Sequence, residues 1–389
     1  ILCVACRGMR KMKLIALKDV CKINMGQSPN SSSYNDYGDG MPFFQGNADF
    51  GERYPITRVW RNTPTKIAQA EDILISVRAP IGALNYAKEE CCIGRGLAAI
   101  TPDRNKVSQD FIYWALKGKK AELNDKGNGS TFKAISRKIL EETMIPDINF
   151  EQQHKCAENL EKIYGIIQNR RKELLALDDL IKARFVEMFG SPVSNPMSWE
   201  KRTLKEVCIK LNDGSHFSPE SFETGDYKYV TAKNIKFSGF DFSNITYVPE
   251  AVHRPIFDRC NPEFEDVLYI KDGATTGVAI VNTLDEEFTL LSSVALLKQD
   301  RSIMNGYFLA TLLNNKDMYL NIRNNMGGAA ITRLTIAKLN AIEIIVPPIE
   351  LQNQFAAFVA EVDKSKVAVQ KALDETQTLF DSLMQEYFG

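Results

Sequence analysis

Hydrophobic residues along this chain follow two different periods. Short apolar and β-branched runs, bounded by Gly, Asn, Asp and Pro, are typical of strands. The strand-like runs are residues 72–77, 96–102, 278–283 and 293–298. Between them lie helix-like patches that begin at Phe111 and Tyr307. This alternation predicts a mixed α+β domain in each half of the chain.

Two other stretches, residues 151–190 and 349–389, have the pattern of long helices. Their apolar residues recur at alternating steps of three and four, a coiled-coil pattern that polar residues such as Arg170 and Arg184 interrupt. The apolar positions are Leu160, Ile163, Ile167, Leu174, Leu177, Ile181 and Met188, then Leu351, Phe355, Phe358, Val362, Val369, Leu373, Phe380, Leu383 and Tyr387. About forty residues at 1.5 Å each make a helix roughly 60 Å long. Neither helix could bury its stripe alone, so we predict that the two pack together, antiparallel.

Sequence landmarks of the first half return in the second half in the same order. The pairs are LKDVC from Leu17 with LKEVC from Leu204, EDILI from Glu71 with EDVLY from Glu265, IPDINFEQQ from Ile145 with VPPIELQNQ from Val346, and EMFG from Glu187 with EYFG from Glu386. Repeated order at nearly constant spacing indicates an internal duplication of a domain plus a helix.

The repeat and the turn-rich SPVSNPMS from Ser191 give the predicted boundaries. They are 1–12, a non-native or disordered extension; 13–150, a mixed domain; 151–190, a long helix; 191–348, a linker and second mixed domain; and 349–389, a second long helix. The opening residues lack an initial methionine and do not have the order of a secretory signal, so Met9 or Met12 is the expected natural start.

Composition restricts the function less than the repeat does. The 389 residues are 44% hydrophobic and 25% charged with a net charge of −1, so any nucleic-acid partner requires locally gathered basic residues. The eight cysteines and three histidines show no complete metal-ligand spacing, and Cys3 and Cys6 form a lone C-x-x-C. We expect a soluble cytoplasmic protein with no membrane partner and no metal or cofactor of its own.

Three segments of the first mixed domain point to a known family. They are PFFQGNADF at Pro42–Phe50, SVRAPIG at Ser76–Gly82 and GNGSTFKAIS at Gly127–Ser136. With the duplicated order, the chain resembles the specificity subunit of type I restriction-modification systems. The resemblance implies two similar target recognition domains, joined by two antiparallel coiled-coil helices in a pseudo-two-fold repeat. It also implies a non-catalytic protein in which each domain reads one half of a split DNA site and the helices fix the spacer.

The same resemblance implies partners. These are double-stranded DNA, two modification (methyltransferase) subunits that carry S-adenosylmethionine, and restriction subunits that use ATP and Mg. Outward charges on the helices are the expected docking residues for the modification subunits: Arg170, Arg171, Lys172, Asp178 and Asp179. Because the copies differ across strands and loops, we expect two different half-sites and an asymmetric target.

DNA-contacting residues are expected among loop Arg, Lys, Gln, Asn, Ser and Thr, which reach base edges or phosphates. In the first copy they are Gln45, Asn47, Arg78, Arg95, Ser130, Thr131 and Lys133. In the second they are Lys233, Asn234, Lys271, Thr275, Ser292 and Arg333. Neighbouring glycines would allow close approach to DNA: Gly82, Gly127, Gly129, Gly273, Gly327 and Gly328. The copies differ here, because Asp272 falls roughly where Arg78 would align.

Catalytic alternatives lack their motifs. The segment nearest to a DNA adenine methyltransferase motif, NPMSW at Asn195, does not match that motif. The sequence also has no Walker-type phosphate loop. Carboxylates with a lysine at residues 262–272 could suggest a metal nuclease, but Glu265 and Asp266 begin a strand shared with the first copy. The remaining alternatives are a coiled-coil scaffold whose terminal domains bind proteins, and a standalone DNA-hydrolysing enzyme.

Overall fold

A computed structural model describes residues 13–28, 33–127, 133–324 and 333–389. The predicted extension 1–12 lies outside these residues. The described chain forms two compact units, one running through Arg170 and resuming at Ala372, the other spanning Arg171–Lys371. Each unit therefore holds one mixed domain and parts of both long helices, a division that differs from the predicted boundaries along the sequence.

The first mixed domain and the helix that follows it contain eleven strands and five α-helices among the described residues. The strands are Leu14–Ala16 (β1), Cys21–Met25 (β2), Tyr34–Asn35 (β3), Met41–Phe44 (β4), Trp60–Arg61 (β5), Ile67–Ala68 (β6), Ile73–Ser76 (β7), Leu84–Tyr86 (β8), Cys91–Ile93 (β9), Leu97–Pro102 (β10) and Met144–Pro146 (β11). The helices are Leu17–Val20 (α1), Gln109–Gly118 (α2), Lys120–Asp125 (α3), Arg137–Glu141 (α4) and Phe150–Phe189 (α5). A short 3-10 helix spans Asn47–Asp49.

The second half repeats much of this order. Its strands are Glu200–Thr203 (β12), Cys208–Asp213 (β13), Tyr227–Val230 (β14), Ile235–Lys236 (β15), Gly239–Phe240 (β16), Thr246–Val248 (β17), Val267–Ile270 (β18), Ala279–Val281 (β19), Thr289–Leu290 (β20), Val294–Gln299 (β21) and Glu343–Val346 (β22). Its helices are Leu204–Val207 (α6), Glu250–Arg259 (α7), Gly306–Asn314 (α8), Lys316–Asn324 (α9), Ile336–Asn340 (α10) and Ile349–Phe388 (α11). The 3-10 helix Ala232–Asn234 matches that of the first half.

An antiparallel four-stranded sheet forms the centre of each mixed domain. Its order is β2-β10-β7-β8 in the first domain and β13-β21-β18-β19 in the second. The repeated Glu-Asp pair explains the similar strand entry, since Glu71 and Glu265 both have positive φ, 72° and 69°. Smaller sheets surround each central sheet.

No helix among the described residues is long and apolar enough to cross a membrane.

Within each unit, the segments of α5 and α11 run antiparallel. In the first unit, Tyr164 lies 6.1 Å from Phe380 between ring centroids. In the second, Lys366 Nζ lies 2.7 Å from Asp178 Oδ1. Both helices have 40 residues and differ by one residue or less from the predicted bounds at each end.

The last aromatic residue of each long helix is an anchor. Phe388 packs on Phe111 of α2 at 5.6 Å, and Phe189 packs on Phe308 of α8 at 4.7 Å. Gly190 follows with φ of +75°, a left-handed end that favours glycine. The repeated F-G ending thus combines a buried anchor with a helix terminus.

The structure corrects the predicted alignment of the proline-led segments. Gln153 Oε1 accepts a hydrogen bond from the Ser108 N–H at 2.7 Å, and Gln352 Oε1 accepts one from the Asn305 N–H at 2.9 Å. Both glutamines are buried, and each binds the residue just before one of two matching helices: Ser108 before α2 and Asn305 before α8. Gln153 therefore corresponds to Gln352, which shifts the predicted match by two residues.

Two predicted docking residues instead join the helices to each other. The Arg170 guanidinium donates to the carbonyl oxygen of Ala372 and to Thr376 Oγ1, and Asp178 forms the ion pair with Lys366. The Arg170 guanidinium is thus bound within the helix pair, which corrects the prediction that it faces outward to a partner. The Asp178 side chain stays 42% exposed beside its ion pair, so its docking role remains a prediction. Arg171, Lys172 and Asp179 are exposed.

We expect Phe355→Ala to destabilise the protein by about 3–5 kcal/mol, because it empties a fully buried site. The Phe355 ring lies 5.6 Å from Phe185 and 5.7 Å from Phe189. Leu175→Ala is the control, since Leu175 is 65% exposed and should change stability by no more than about 0.5 kcal/mol. Urea unfolding of the full chain, followed by circular dichroism and tryptophan fluorescence, measures both. Equal effects would contradict this account of the core.

Candidate nucleic-acid interface

Polar side chains collect at one end of the central sheet in the first unit. The Gly94 N–H donates to the Phe44 carbonyl at 2.8 Å, so Gln45 lies beside the β9–β10 turn that carries Arg95. A Cβ on Gly96 would lie 2.4 Å from the Gln45 carbonyl oxygen, a clash that only glycine avoids. Gln45 and Arg95 are therefore held close together with exposed side chains.

The end of β7 brings two further predicted residues to this place. The Val77 N–H donates to the Gly96 carbonyl at 2.9 Å, and Arg78 forms an isolated antiparallel bridge with Ala134. The Ala79 N–H also donates to the Lys133 carbonyl at 3.2 Å. We call the exposed group Gln45, Arg78, Arg95 and Lys133 the first strand-end surface; it carries three positive charges.

Sequence reasoning missed one residue at this end of the sheet. The Gln27 N–H donates to the Ile93 carbonyl at 3.1 Å, and its side chain is exposed. Gly26 makes this approach possible, because a Cβ there would lie 2.0 Å from the Gly94 carbonyl oxygen. Gly26, directly before Gln27, is the sequence feature that could have indicated this close approach.

Other predicted residues of the first copy lie elsewhere or outside the described chain. Asn47 is half-buried and lines a cavity of about 300 Å³ together with Tyr113 and Tyr164. Ser130 and Thr131 lie outside the described residues, as do the predicted glycines Gly129, Gly327 and Gly328.

Strand register relates the two sheets residue by residue. Ala98 pairs with Met25 and Ile75, and in the second unit Ala295 pairs with Asp213 and Tyr269. Met25 therefore corresponds to Asp213, and Ile75 corresponds to Tyr269. Val77 and Lys271, each two residues further along the chain, correspond in turn.

The next position confirms the predicted difference between the copies. Asp272 forms an isolated bridge with Arg333, as Arg78 does with Ala134. Asp272 thus occupies the place of Arg78, and its Oδ2 lies 3.5 Å from Arg333 Nε. A cation in the first unit is replaced by an acid paired with a cation in the second.

Two predicted DNA contacts in the second copy are corrected by burial. Lys271 is 2% exposed, and its Nζ lies 3.1 Å from Asp213 Oδ2. Asn234 is 3% exposed; its Oδ1 accepts from the Thr231 N–H at 3.0 Å, and its amide donates to the Asp241 carbonyl at 3.2 Å. Both side chains stabilise the fold and are not accessible to a ligand in this structure.

The other predicted residues of the second copy are accessible. Lys233, Thr275 and Arg333 are exposed, and Ser292 is half-buried. The Ser292 N–H donates to the Ser215 carbonyl at 2.8 Å, which ties the loop after β13 to this end of the sheet. We call Lys233, Thr275, Ser292 and Arg333 the second strand-end surface.

The carboxylates that suggested a nuclease have a structural role. Asp266 is 1% exposed; its Oδ2 accepts from the Glu263 N–H at 2.8 Å and lies 3.3 Å from Lys298 Nζ. Burial raises the pKa of the Asp266 carboxyl above its ordinary value, against the opposing effect of that N–H and of Lys298. Asp72 makes the matching turn contact with the Gln69 N–H at 2.8 Å.

Duplicated mixed domains with matching polar strand ends define a two-domain recognition protein. The family model for the type I restriction modification DNA specificity domain matches the chain twice, at residues 9–176 and 196–376. The chain belongs to this family, and the predicted duplication is confirmed. It is a DNA-recognition subunit without a catalytic role.

Named relatives agree with this assignment. The putative type I restriction enzyme MjaX specificity subunit of Methanocaldococcus jannaschii is 47% identical over 152 residues, 39% of this chain and 36% of that protein. The MjaIX specificity subunit of the same organism is 24% identical over 400 residues, covering 95% of this chain and 90% of the relative. The crystal structure of the type I restriction-modification S subunit from M. genitalium covers 99% of this chain and 98% of its own, with a TM-score of 0.62 and 17% identity. That structure supports the fold.

The buried pair Asp213–Lys271 gives a stability prediction. Asp213→Ala should destabilise the protein by about 3–5 kcal/mol, because the Lys271 ammonium would stay buried without its carboxylate. The double variant Asp213→Met with Lys271→Val copies Met25 and Val77 of the first unit. It should recover most of the loss, since both polar partners are replaced by apolar groups. Urea unfolding compares the variants, and a double variant as unstable as the single one would refute the equivalence.

Proposed function

We propose that the two mixed domains read different halves of a bipartite, asymmetric site in double-stranded DNA. One observation carries the proposal: the same sheet end presents Arg78 in the first unit and Asp272 with Arg333 in the second. Equivalent backbone pairings with different charges favour different base sequences, because base edges in the major groove differ in their donors and acceptors.

The first strand-end surface suits the contacts that DNA offers. Arg78, Arg95 and Lys133 can donate to guanine edges or phosphates, and Gln45 can both donate and accept at an adenine edge. Their backbones are fixed by the sheet and its turns, so little backbone conformational freedom is lost on binding.

The long helices have two proposed roles. They fix the spacer between the half-sites, for which a stiff helix pair is better suited than a flexible linker. The exposed Arg171, Lys172 and Asp179, with the part-exposed Asp178, remain the proposed docking residues for two modification subunits. In this proposal S-adenosylmethionine belongs to those subunits, ATP and Mg belong to restriction subunits, and the complex acts in the cytoplasm.

Mapping adenine methylation across the host genome, with and without this gene, tests the proposal. We expect deletion to abolish methylation at one split, asymmetric motif, and reintroduction of the gene to restore it. Unchanged methylation in cells that express the modification subunit would contradict the proposed role.

Arg78→Ala tests the first strand-end surface. We expect discrimination to fall by about 1–3 kcal/mol at one base pair of one half-site, with the other half-site unaffected. Competition binding to duplexes with single base-pair changes in the mapped motif measures this. Arg104→Ala is the control, because exposed Arg104 follows β10 at the opposite end of the same sheet. Equal effects of both changes, or loss at both half-sites, would rule out the assigned contact.

A further inference from the structure

Two cationic side chains and one histidine surround a buried carboxylate in the second unit. The Asp213 side chain is 4% exposed, and Lys271 Nζ lies 3.1 Å from its Oδ2. On the other oxygen, Oδ1 lies 3.5 Å from Arg259 NH1 and 3.1 Å from His216 Nε2. Lys271 and Arg259 carry two positive charges against one negative charge, even with His216 neutral. The cluster therefore has an excess positive charge.

That excess reaches solvent through Arg259. The Lys271 side chain is 2% exposed, whereas the Arg259 side chain is 42% exposed. An anion approaching this surface would meet the guanidinium of Arg259, while the buried Lys271 ammonium offsets the Asp213 carboxylate from its other oxygen. Incompletely solvated charges act more strongly on an anion than the same charges in water.

The Arg259 guanidinium is held in place by the protein. NH2 donates to the Gly214 carbonyl, and NH1 donates to Asn212 Oδ1 at 3.4 Å. Asn212 in turn donates through its amide to the Arg259 carbonyl at 2.9 Å. Gly214 permits the tight turn, since a Cβ there would lie 1.9 Å from the Leu290 carbonyl oxygen. A guanidinium fixed in this way loses little freedom on binding.

The cluster lies at the end of the sheet that carries the second strand-end surface. Asp213 is the last residue of β13 and pairs with Ala295 near the start of β21. Ser215, two residues later, accepts a hydrogen bond from the Ser292 N–H at 2.8 Å. Arg259 therefore adds a cation to this end of the second domain.

We propose that Arg259, positioned by Asp213, binds a phosphate of the DNA backbone beside the half-site read by the second domain. The inference rests on the proposed DNA-reading function and adds a residue that sequence reasoning missed. Both terminal nitrogens already donate to protein oxygens, which hinders the paired contact that guanine requires. Phosphate oxygens accept the remaining N–H groups from a wider range of directions. In the first unit Met25 takes the place of Asp213, so the carboxylate that positions Arg259 has no counterpart at that strand position.

Arg259→Ala in the full chain, purified with its modification subunits, tests the inference. The probes are a fluorescent duplex carrying the mapped motif and one with both half-sites scrambled, titrated over a range of salt concentrations. We expect affinity to fall roughly tenfold for both duplexes, as for the loss of a hydrogen bond to a charged group. We also expect the slope of log affinity against log salt to become shallower by about 0.9. Arg259→Lys should keep most of the salt slope.

Arg301→Ala is a matched control at the opposite end of the same sheet. Arg301 NH1 lies 3.5 Å from Glu265 Oε2, NH2 donates to the Phe264 carbonyl, and the side chain is 55% exposed. We expect it to change neither affinity nor salt slope. Unchanged binding by Arg259→Ala, or a loss confined to the mapped motif, would overturn the phosphate assignment. Failure of the unaltered complex to bind either duplex would instead refute the proposed DNA-reading function.

Discussion

The aromatic residue at the end of each long helix makes the contact on which the rest of the structure depends. Phe388, from the end of the second repeat, packs on Phe111 of the first domain, and Phe189 from the first repeat packs on Phe308 of the second. Each domain core is therefore completed by the helix that the other repeat supplies. The compact unit in space is not the repeat in sequence, and neither repeat contains a whole core.

The strand ends, for which we propose the DNA-reading role, are less constrained than these helix contacts. The same backbone bridge presents Arg78 in one unit and Asp272 in the other, so side chains change while the pairing of strands and loops is kept. Replacement at the buried position just before them is more constrained. Lys271 can stand where the first unit has Val77 because Asp213 stands where that unit has Met25.

Periodicity and repetition were sufficient to predict the mixed domains, both long helices and their antiparallel pairing. Matching the two sequence repeats alone misaligned the start of the second long helix by two residues. The buried hydrogen bond that identifies Gln352 as the equivalent of Gln153 leaves no pattern in the local sequence. Helix α7 was not predicted, since Pro255 interrupts its pattern. The sequence predicts an accessible Lys271, which is wrong because its partner Asp213 is remote in sequence and only strand pairing brings the two together.

The same remoteness explains why composition is a poor guide to this protein's electrostatics. A net charge of −1 gives no sign of an anionic partner, yet an acidic residue can help to build a cationic surface. Asp213 offsets the desolvation of Lys271 and orients Arg259. One carboxylate thus stabilises two positively charged side chains at one end of the sheet. Removing that acid would make the chain formally more basic while taking away one of the three oxygens that position the Arg259 guanidinium. For this surface, the arrangement of charges matters more than their sum.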